Sequence, residues 1–294
     1  MSAKNGYHSA VCVKQVPDTT DLGEDAMKED GTVNRSALPA VVNPEDLNAL
    51  EMALSIKDQH GGTVTVISMG PPSAAEALRE CLYRGADRAI LLSDRKFAAS
   101  DTLATSYALS CAVRKLENLD LVFCGRQAID GDTAQIGPQL AQKLGLPQVT
   151  YVEEVSELSP ERITVRRGLE RGYEICEAPL PVLLTVRDSA NVPRPPAAKR
   201  MMKYKKARTP SELEQEWDDY EELESYEEMG LLIDQWGVDE TESDPDRCGG
   251  SGSPTRVKDI DSVKLVSEEH ESIEPTREGM DRLVKKLQSE HIFD

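Results

Sequence analysis

The sequence predicts an α/β protein built on a mostly parallel sheet, and three observations carry that prediction. Through residue 147, short apolar segments rich in Val, Ile and Leu alternate with stretches of helical periodicity, the pattern of repeated βαβ units. Aromatic residues make up only 4% of the chain, so aliphatic side chains must fill the core, as in sheets covered on both faces. After residue 148 the strand-like segments follow one another without helices between them, which predicts an antiparallel extension of the same sheet.

Residues 8–16 (HSAVCVKQV) are a short apolar run of strand composition, closed by a turn at Pro17 and Asp18. A helix announces itself at Asn43, with Pro44 at its first position and Glu45 and Asp46 in its first turn. Leu47, Leu50, Leu54 and Ile56 recur at helical spacing, and Gly61 with Gly62 stops the helix. Residues 63–69 (TVTVISM) are β-branched and short, hence a buried strand. Ser73 and Glu76 have capping-box spacing and open a helix that Gly85 closes. A strand over 88–92, a helix over 101–116, a strand over 119–124 and a helix over 139–144 ended by Gly145 continue the alternation. Residues 149–155, 163–169, 173–176 and 182–186 form the later strands, with Gly172 placed for a hairpin turn.

From residue 191 the chain is Pro-rich, then basic, then strongly acidic: residues 211–246 hold sixteen Asp or Glu and no Lys or Arg. Leu213, Trp217, Tyr220, Leu223 and Leu231 fall on roughly one helical face of this acidic stretch, and a closing helix is expected over 276–290. Clustered apolar residues are too few here for an independent core, so the last hundred residues read as an arm that needs another chain. The net charge of −19 repels phosphate backbones and makes nucleic acid an unfavourable partner. Six cysteines without a CxxC pair read as buried free thiols in a reducing compartment. Four histidines show no ligand spacing, so no protein-built metal site is expected. No signal peptide or long apolar run opens the chain, and the expected location is cytoplasmic, without membrane insertion.

The segment that carries chemistry is residues 124–147, CGRQAIDGDTAQIGPQLAQKLGLP. In open parallel sheets, ligands sit beyond the carboxyl ends of the strands, and this loop leaves such an end. Gly125, Gly131 and Gly137 permit close backbone approach, while Asp132 and Thr133 can cap the following helix and offer a hydroxyl and N–H groups to a phosphate. Pro138 allows either a helix beginning near Gly137 or one that starts at Asp132 and bends. The spacing is neither GxGxxG nor a Walker loop. On chemistry alone, a structural turn and a nucleotide-phosphate site stand level, since Asp130 and Asp132 repel a phosphate unless they face a ribose or backbone N–H groups.

The stretch GRQAIDGDTAQIG resembles the adenine-nucleotide loop of electron transfer flavoprotein β subunits. VCVKQVPDT, VNPEDLNALEMAL, ISMGPPSA, GADRAILL and NVPRPPAAKRMMKYKKA resemble their family counterparts in order through about residue 205, and GSGSPTRV with the last helix resembles the family's C-terminal arm. The resemblance implies a Rossmann-like nucleotide-binding domain over 1–190, a partner recognition loop and basic linker over 191–210, and an acidic insert and arm over 211–294 that embraces an α subunit carrying a mobile FAD. It places nucleotide contacts at Cys12, at Asn43, Pro44, Glu45 and Asp46, and at Met69. Along the loop it adds Gly125, Arg126, Gln127, Ala128, Ile129, Asp130, Gly131, Asp132, Thr133, Ala134, Gln135 and Ile136, with Asp130, Thr133 and Gln135 foremost. Asn43 and Asp46 suit adenine or ribose edges, and Thr133 suits phosphate.

The family's β subunit binds either structural AMP or, in electron-bifurcating members, a second FAD. The forms VKQVPDT, DGDTAQIGP and GSGSPTRV look more like the bifurcating type. The implied function is then NADH-linked electron bifurcation, in which a hydride from NADH is split between a strong and a weak one-electron acceptor. The alternatives are a conventional electron transfer flavoprotein with AMP and a non-redox nucleotide-binding α/β protein. Implied redox partners are an acyl-CoA dehydrogenase or a similar enzyme, and a ferredoxin or other iron–sulfur protein; the acidic stripe could dock on the α subunit or on such a further redox partner. Two departures bear on partners: Ala198 stands where a leucine anchors the dehydrogenase in the best-known members, and Gly168 and Arg171 stand where acids are common.

Overall fold

The computed structural model describes residues 6–18, 39–216, 221–255, 272–290 and 292. Strand β1 (Tyr7–Cys12) leads through a small hairpin, β2 (Gln15–Pro17) against β3 (Ala40–Val42), into α1 (Pro44–His60). Then follow β4 (Gly62–Met69), α2 (Ala75–Arg84), β5 (Arg88–Leu92), α3 (Thr102–Arg114), β6 (Leu121–Gly125) and α4 (Ile136–Leu144). Glycines at the ends of α1, α2 and α4 take positive φ, and Gly145 sits in the left-handed region at φ 70° and ψ 27°, which halts a helix at little steric cost. The expected capping box at Ser73 is not made: a 3₁₀ turn (Pro72–Ala74) precedes α2, whose N-cap is Ala74.

The extension comprises β7 (Gln148–Leu158), β8 (Arg162–Leu169) and β9 (Gly172–Pro179), and β10 (Val182–Val186) follows. The hairpin turns at Gly172, φ 108°. Within the nine-stranded sheet, only the β7–β8 and β8–β9 pairings are antiparallel. The chain then returns and inserts β10, parallel, between β6 and β7. All five residues of β10 are buried, as its unbroken apolar sequence requires of a central parallel strand.

Alternate residues of each parallel strand serve two cores. Leu121 and Phe123 of β6 pack with Leu50, Leu54 and Leu78 of α1 and α2, whereas Val122 and Cys124 pack with Tyr107 of α3 and Leu140 of α4. Helices therefore cover both faces.

The acidic segment differs from the expected free arm. After α5 (Ala198–Tyr204), the helices α6 (Pro210–Glu216) and α7 (Glu221–Glu228) lead to β11 (Asp234–Trp236), which pairs parallel with β5 and extends the sheet to the order β11-β5-β4-β1-β6-β10-β7-β8-β9. Buried Arg79 of α2 fastens the segment by ion pairing with Glu212 at 2.8 Å and donating to the Ala207 carbonyl at 2.9 Å. Ile233, Val238 in the short α8 (Val238–Thr241), and Cys248 are buried as well. The few apolar residues of this segment complete an existing core instead of building their own. Leu213 and Leu231 of the expected docking stripe are buried in this way, Leu223 is half-buried, and Trp217 and Tyr220 lie outside the described residues.

Residues 1–21 and 38–258 make one compact unit. The second unit, 22–37 with 259–294, contributes α9 (Arg277–Ser289). Thr276 caps this helix by accepting the Gly279 N–H at 3.1 Å, so the helix expected over 276–290 is present. Among the described residues, no helix is long and apolar enough to cross a membrane.

Candidate functional site

The chain runs from β1 outward through β4 to β5, then crosses back to β6 on the other side of β1. Connections diverge between β1 and β6, the topological switch point where open parallel sheets place ligands. The loop after β6 leaves the sheet there.

Its first half is fastened from below by the start of α1. Asn43 is the N-cap of α1 but makes no side-chain cap. Its amide instead donates to the Gln127 carbonyl at 2.9 Å and accepts the Ile129 N–H at 3.1 Å. Glu45 accepts the Gln127 N–H at 2.9 Å and pairs with Arg126 at 2.9 Å. Asp46 accepts the Gly125 N–H at 3.0 Å through one oxygen and the Lys14 N–H at 2.9 Å through the other. Burial pushes the Asp46 carboxyl up to about 7, against the pull of those two donors and of Asn43. A side chain at Gly125 would put its Cβ 2.4 Å from an Asp46 oxygen, so glycine is required where strand end and helix start meet.

The second half offers its own donors. Gly131 and Asp132 donate back to the Ala128 carbonyl in a turn. Beyond them, the N–H groups of Thr133, Ala134, Gln135, Ile136 and Gly137 reach no acceptor among the described residues. Asp132 and Ala134 take left-handed φ of 48° and 52°, and Gln135 is right-handed at φ −100° and ψ −26°. Such alternation turns successive N–H groups toward one side, and α4 adds the positive end of its dipole. Gly137 packs α4 directly on β10, where a Cβ would lie 2.5 Å from Thr185 Cγ2.

The acids that would oppose an anion here are engaged. Asp130 is paired with Lys14 at 2.6 Å, and Asp132 accepts the Gln127 side-chain amide at 2.7 Å. Thr133 is exposed, and Gln135 accepts the Thr102 hydroxyl at 2.8 Å, tying the loop to the start of α3. Gln135 is also the N-cap of α4, without a side-chain cap. The helix therefore starts at Ile136 with Pro138 in its first turn, and Asp132 and Thr133 do not cap it.

Cys12 and Met69 end β1 and β4. The neighbouring Cys12 side chain together with burial holds the Cys124 thiol well above the usual thiol range. Pro44 is exposed beside Asn43. All of the expected contacts on 12, 43–46, 69 and 125–136 therefore gather at one end of the sheet. The structure divides them into supports, chiefly Asn43, Glu45 and Asp46, and donors, chiefly the 133–137 backbone. Sequence reasoning missed the tie from Thr102 and the Arg126–Glu45 pair, because neither follows from local spacing.

At the opposite, amino end of the sheet lies a cavity of about 420 Å³ lined by His8, Thr63, Asp87, Arg88 and Lys115. Most of its charged groups are paired, largely with residues outside it: His8 bonds Thr63, Asp87 pairs with Lys57, Arg88 with Asp234 and Lys115 with Glu242, while Glu117 also lines it.

A parallel sheet with a donor-lined loop at its switch point is the arrangement in which open α/β proteins hold nucleotides. Residues 30–211 match the electron transfer flavoprotein domain. Over 282 residues the chain is 44% identical to an electron transfer flavoprotein subunit beta of Clostridium acetobutylicum, covering 96% of this chain and 98% of the relative. It is 41% identical over 288 residues to the caffeyl-CoA reductase-Etf complex subunit CarD of Acetobacterium woodii, with the same coverage of each. It is 50% identical over 190 residues to Protein FixA of Azorhizobium caulinodans, covering 63% of this chain and 67% of the relative. The chain belongs to the electron transfer flavoprotein β-subunit family.

Proposed function

We propose that this β subunit holds FAD on the 125–136 loop and, paired with an α subunit in the cytoplasm, serves NADH-linked electron bifurcation. The observation that carries the binding reading is the run of unspent N–H groups from Thr133 to Gly137 at the head of α4, a donor set suited to a nucleotide phosphate. Lys14 and Gln127 hold the neighbouring carboxylates away from that phosphate, while Asn43, Glu45 and Asp46 keep the loop in place beneath it. FAD, when bound, supplies the redox chemistry. The chain's own residues bind and orient it.

Bifurcation is favoured because a relative of similar length carries the name of a caffeyl-CoA reductase-Etf complex, and another that of an acryloyl-CoA reductase electron transfer subunit. An enzyme of that kind is the redox partner that fits best, with a low-potential iron–sulfur protein as the second acceptor. The six cysteines are unpaired, which suits a reducing compartment. Exposed Met201 and Met202 on α5 belong to the proposed recognition segment. The α subunit is the proposed ligand of the second unit's arm.

The test is to co-express the chain with its α subunit, purify the complex anaerobically and identify the nucleotides released on denaturation. Two FAD per complex are expected. One FAD and one AMP would instead make this chain the structural half of a conventional electron shuttle.

A further inference from the structure

Tyr151 is an aromatic residue inside a β-strand with φ 59°. A bulky side chain in the left-handed region costs free energy and persists only where the surroundings impose it. Here the ladder between β7 and β10 is interrupted: Leu184 pairs with Val149 and Val186 with Val152, with a register shift between them. The Tyr151 N–H, lacking a ladder partner, donates to the Thr185 hydroxyl at 3.2 Å. The same Thr185 turns its methyl toward Gly137 in the first turn of α4. Tyr151 is therefore one residue away, across Thr185, from the helix start whose N–H groups are unspent.

Its height in the sheet matters as much. Val186 stands opposite Gly125, and its carbonyl accepts the Arg126 N–H at 2.9 Å, so the bulge lies level with the departure of the nucleotide loop. Tyr151 is 37% exposed as a residue, and its hydroxyl makes no hydrogen bond among the described residues. A bulge beside a ligand site re-aims a side chain. This one spends conformational energy to present a ring that packs little of the core.

Resting on the FAD reading above, we propose that Tyr151 is a positioning residue whose ring lies against the isoalloxazine of the FAD held on the 125–136 loop. Planar stacking at a half-open rim needs a flat, uncharged aromatic face, and the phenol hydroxyl is not required for it. Phenylalanine should therefore replace tyrosine, whereas alanine and glycine should not. Glycine also separates ligand contact from folding, because it tolerates φ 59° without strain.

The experiment compares wild type, Tyr151→Phe, Tyr151→Ala and Tyr151→Gly as complexes with the α subunit. Its readouts are FAD content per complex, affinity for added FAD after stripping, melting temperature of the stripped complex, and subunit association by size-exclusion chromatography. Expected are two FAD in wild type and Tyr151→Phe, and about tenfold weaker rebinding of one FAD in Tyr151→Ala and Tyr151→Gly, with Tyr151→Gly melting no lower than wild type. Two firmly bound FAD in all four proteins would overturn the inference alone. Separation of the subunits in Tyr151→Ala, with FAD affinity unchanged, would also overturn it, assigning the ring to the subunit contact. AMP in the wild-type complex would refute the FAD reading itself, and the inference with it.

Discussion

The two halves of the loop after β6 have opposite relations to their surroundings. From Gly125 to Ile129 the backbone is held by carboxylate, amide and carbonyl acceptors, with Gly125, Arg126, Gln127 and Ile129 all donating into the protein. From Thr133 to Gly137 the N–H groups have no acceptor among the described residues. The contrast separates fastened backbone from unspent donors: the first half fixes where the second half points. Acidic residues at the head of α1, which in isolation look like nucleotide contacts, are used to build the support. The two ends of the sheet repeat the lesson, since the amino end holds a cavity whose Asp87, Arg88 and Lys115 are all ion-paired, and the carboxyl end has donors left over.

Breaking the fastened half should have the largest effect. Asp46→Ala strands the Gly125 and Lys14 N–H groups in a buried site, and a loss of roughly 2–4 kcal/mol in unfolding free energy is expected by denaturant titration, together with loss of the bound nucleotide. Gly137→Ala acts on the offering half. Its Cβ meets the Thr185 methyl, so α4 must shift, at a cost of about 1–3 kcal/mol and with weaker nucleotide binding. Adding Thr185→Ser, which removes that methyl and keeps the hydroxyl, should restore most of both losses.

A smaller effect distinguishes the buried carboxyl by pH. Asp46 titrates at about 7 in the folded chain, against a reference of 3.8. Between those values the folded state binds the extra proton, so the contribution of Asp46 to stability is present below about pH 4 and is lost as pH rises to about 7. Unfolding free energies measured across this window should fall more steeply in wild type than in Asp46→Asn. The smallest change is expected for Lys14→Ala, whose ion pair with Asp130 is solvent-exposed. Stability should move by less than about 1 kcal/mol, and a larger shift would place Lys14 among the supports.

Most of the sheet was legible because buried parallel strands and helix-stopping glycines leave local marks: Gly61, Gly85 and Gly145 all end helices as expected. The location of the candidate site at one end of the sheet was legible through the loop motif and the strand end it leaves. The division of labour within it was not, because the bonds from Asn43, Glu45 and Asp46 span about eighty residues of sequence. β11 was missed for a related reason. Three residues within an acidic stretch carry no periodicity, and the strand exists because β5 offers it an edge. Insertion of β10 between β6 and β7 is likewise a long-range choice, visible in sequence only as an unbroken apolar run.

Amide hydrogen exchange along residues 125–137, in the complex with and without its nucleotide, is the most direct test of the division between support and donor. Strong added protection from Thr133 through Gly137 on nucleotide binding is expected, with Gly125, Gln127 and Ile129 already protected in both states. Unchanged exchange at 133–137, or new protection at the amino-end cavity instead, would contradict the assignment of this loop as the nucleotide's anchor.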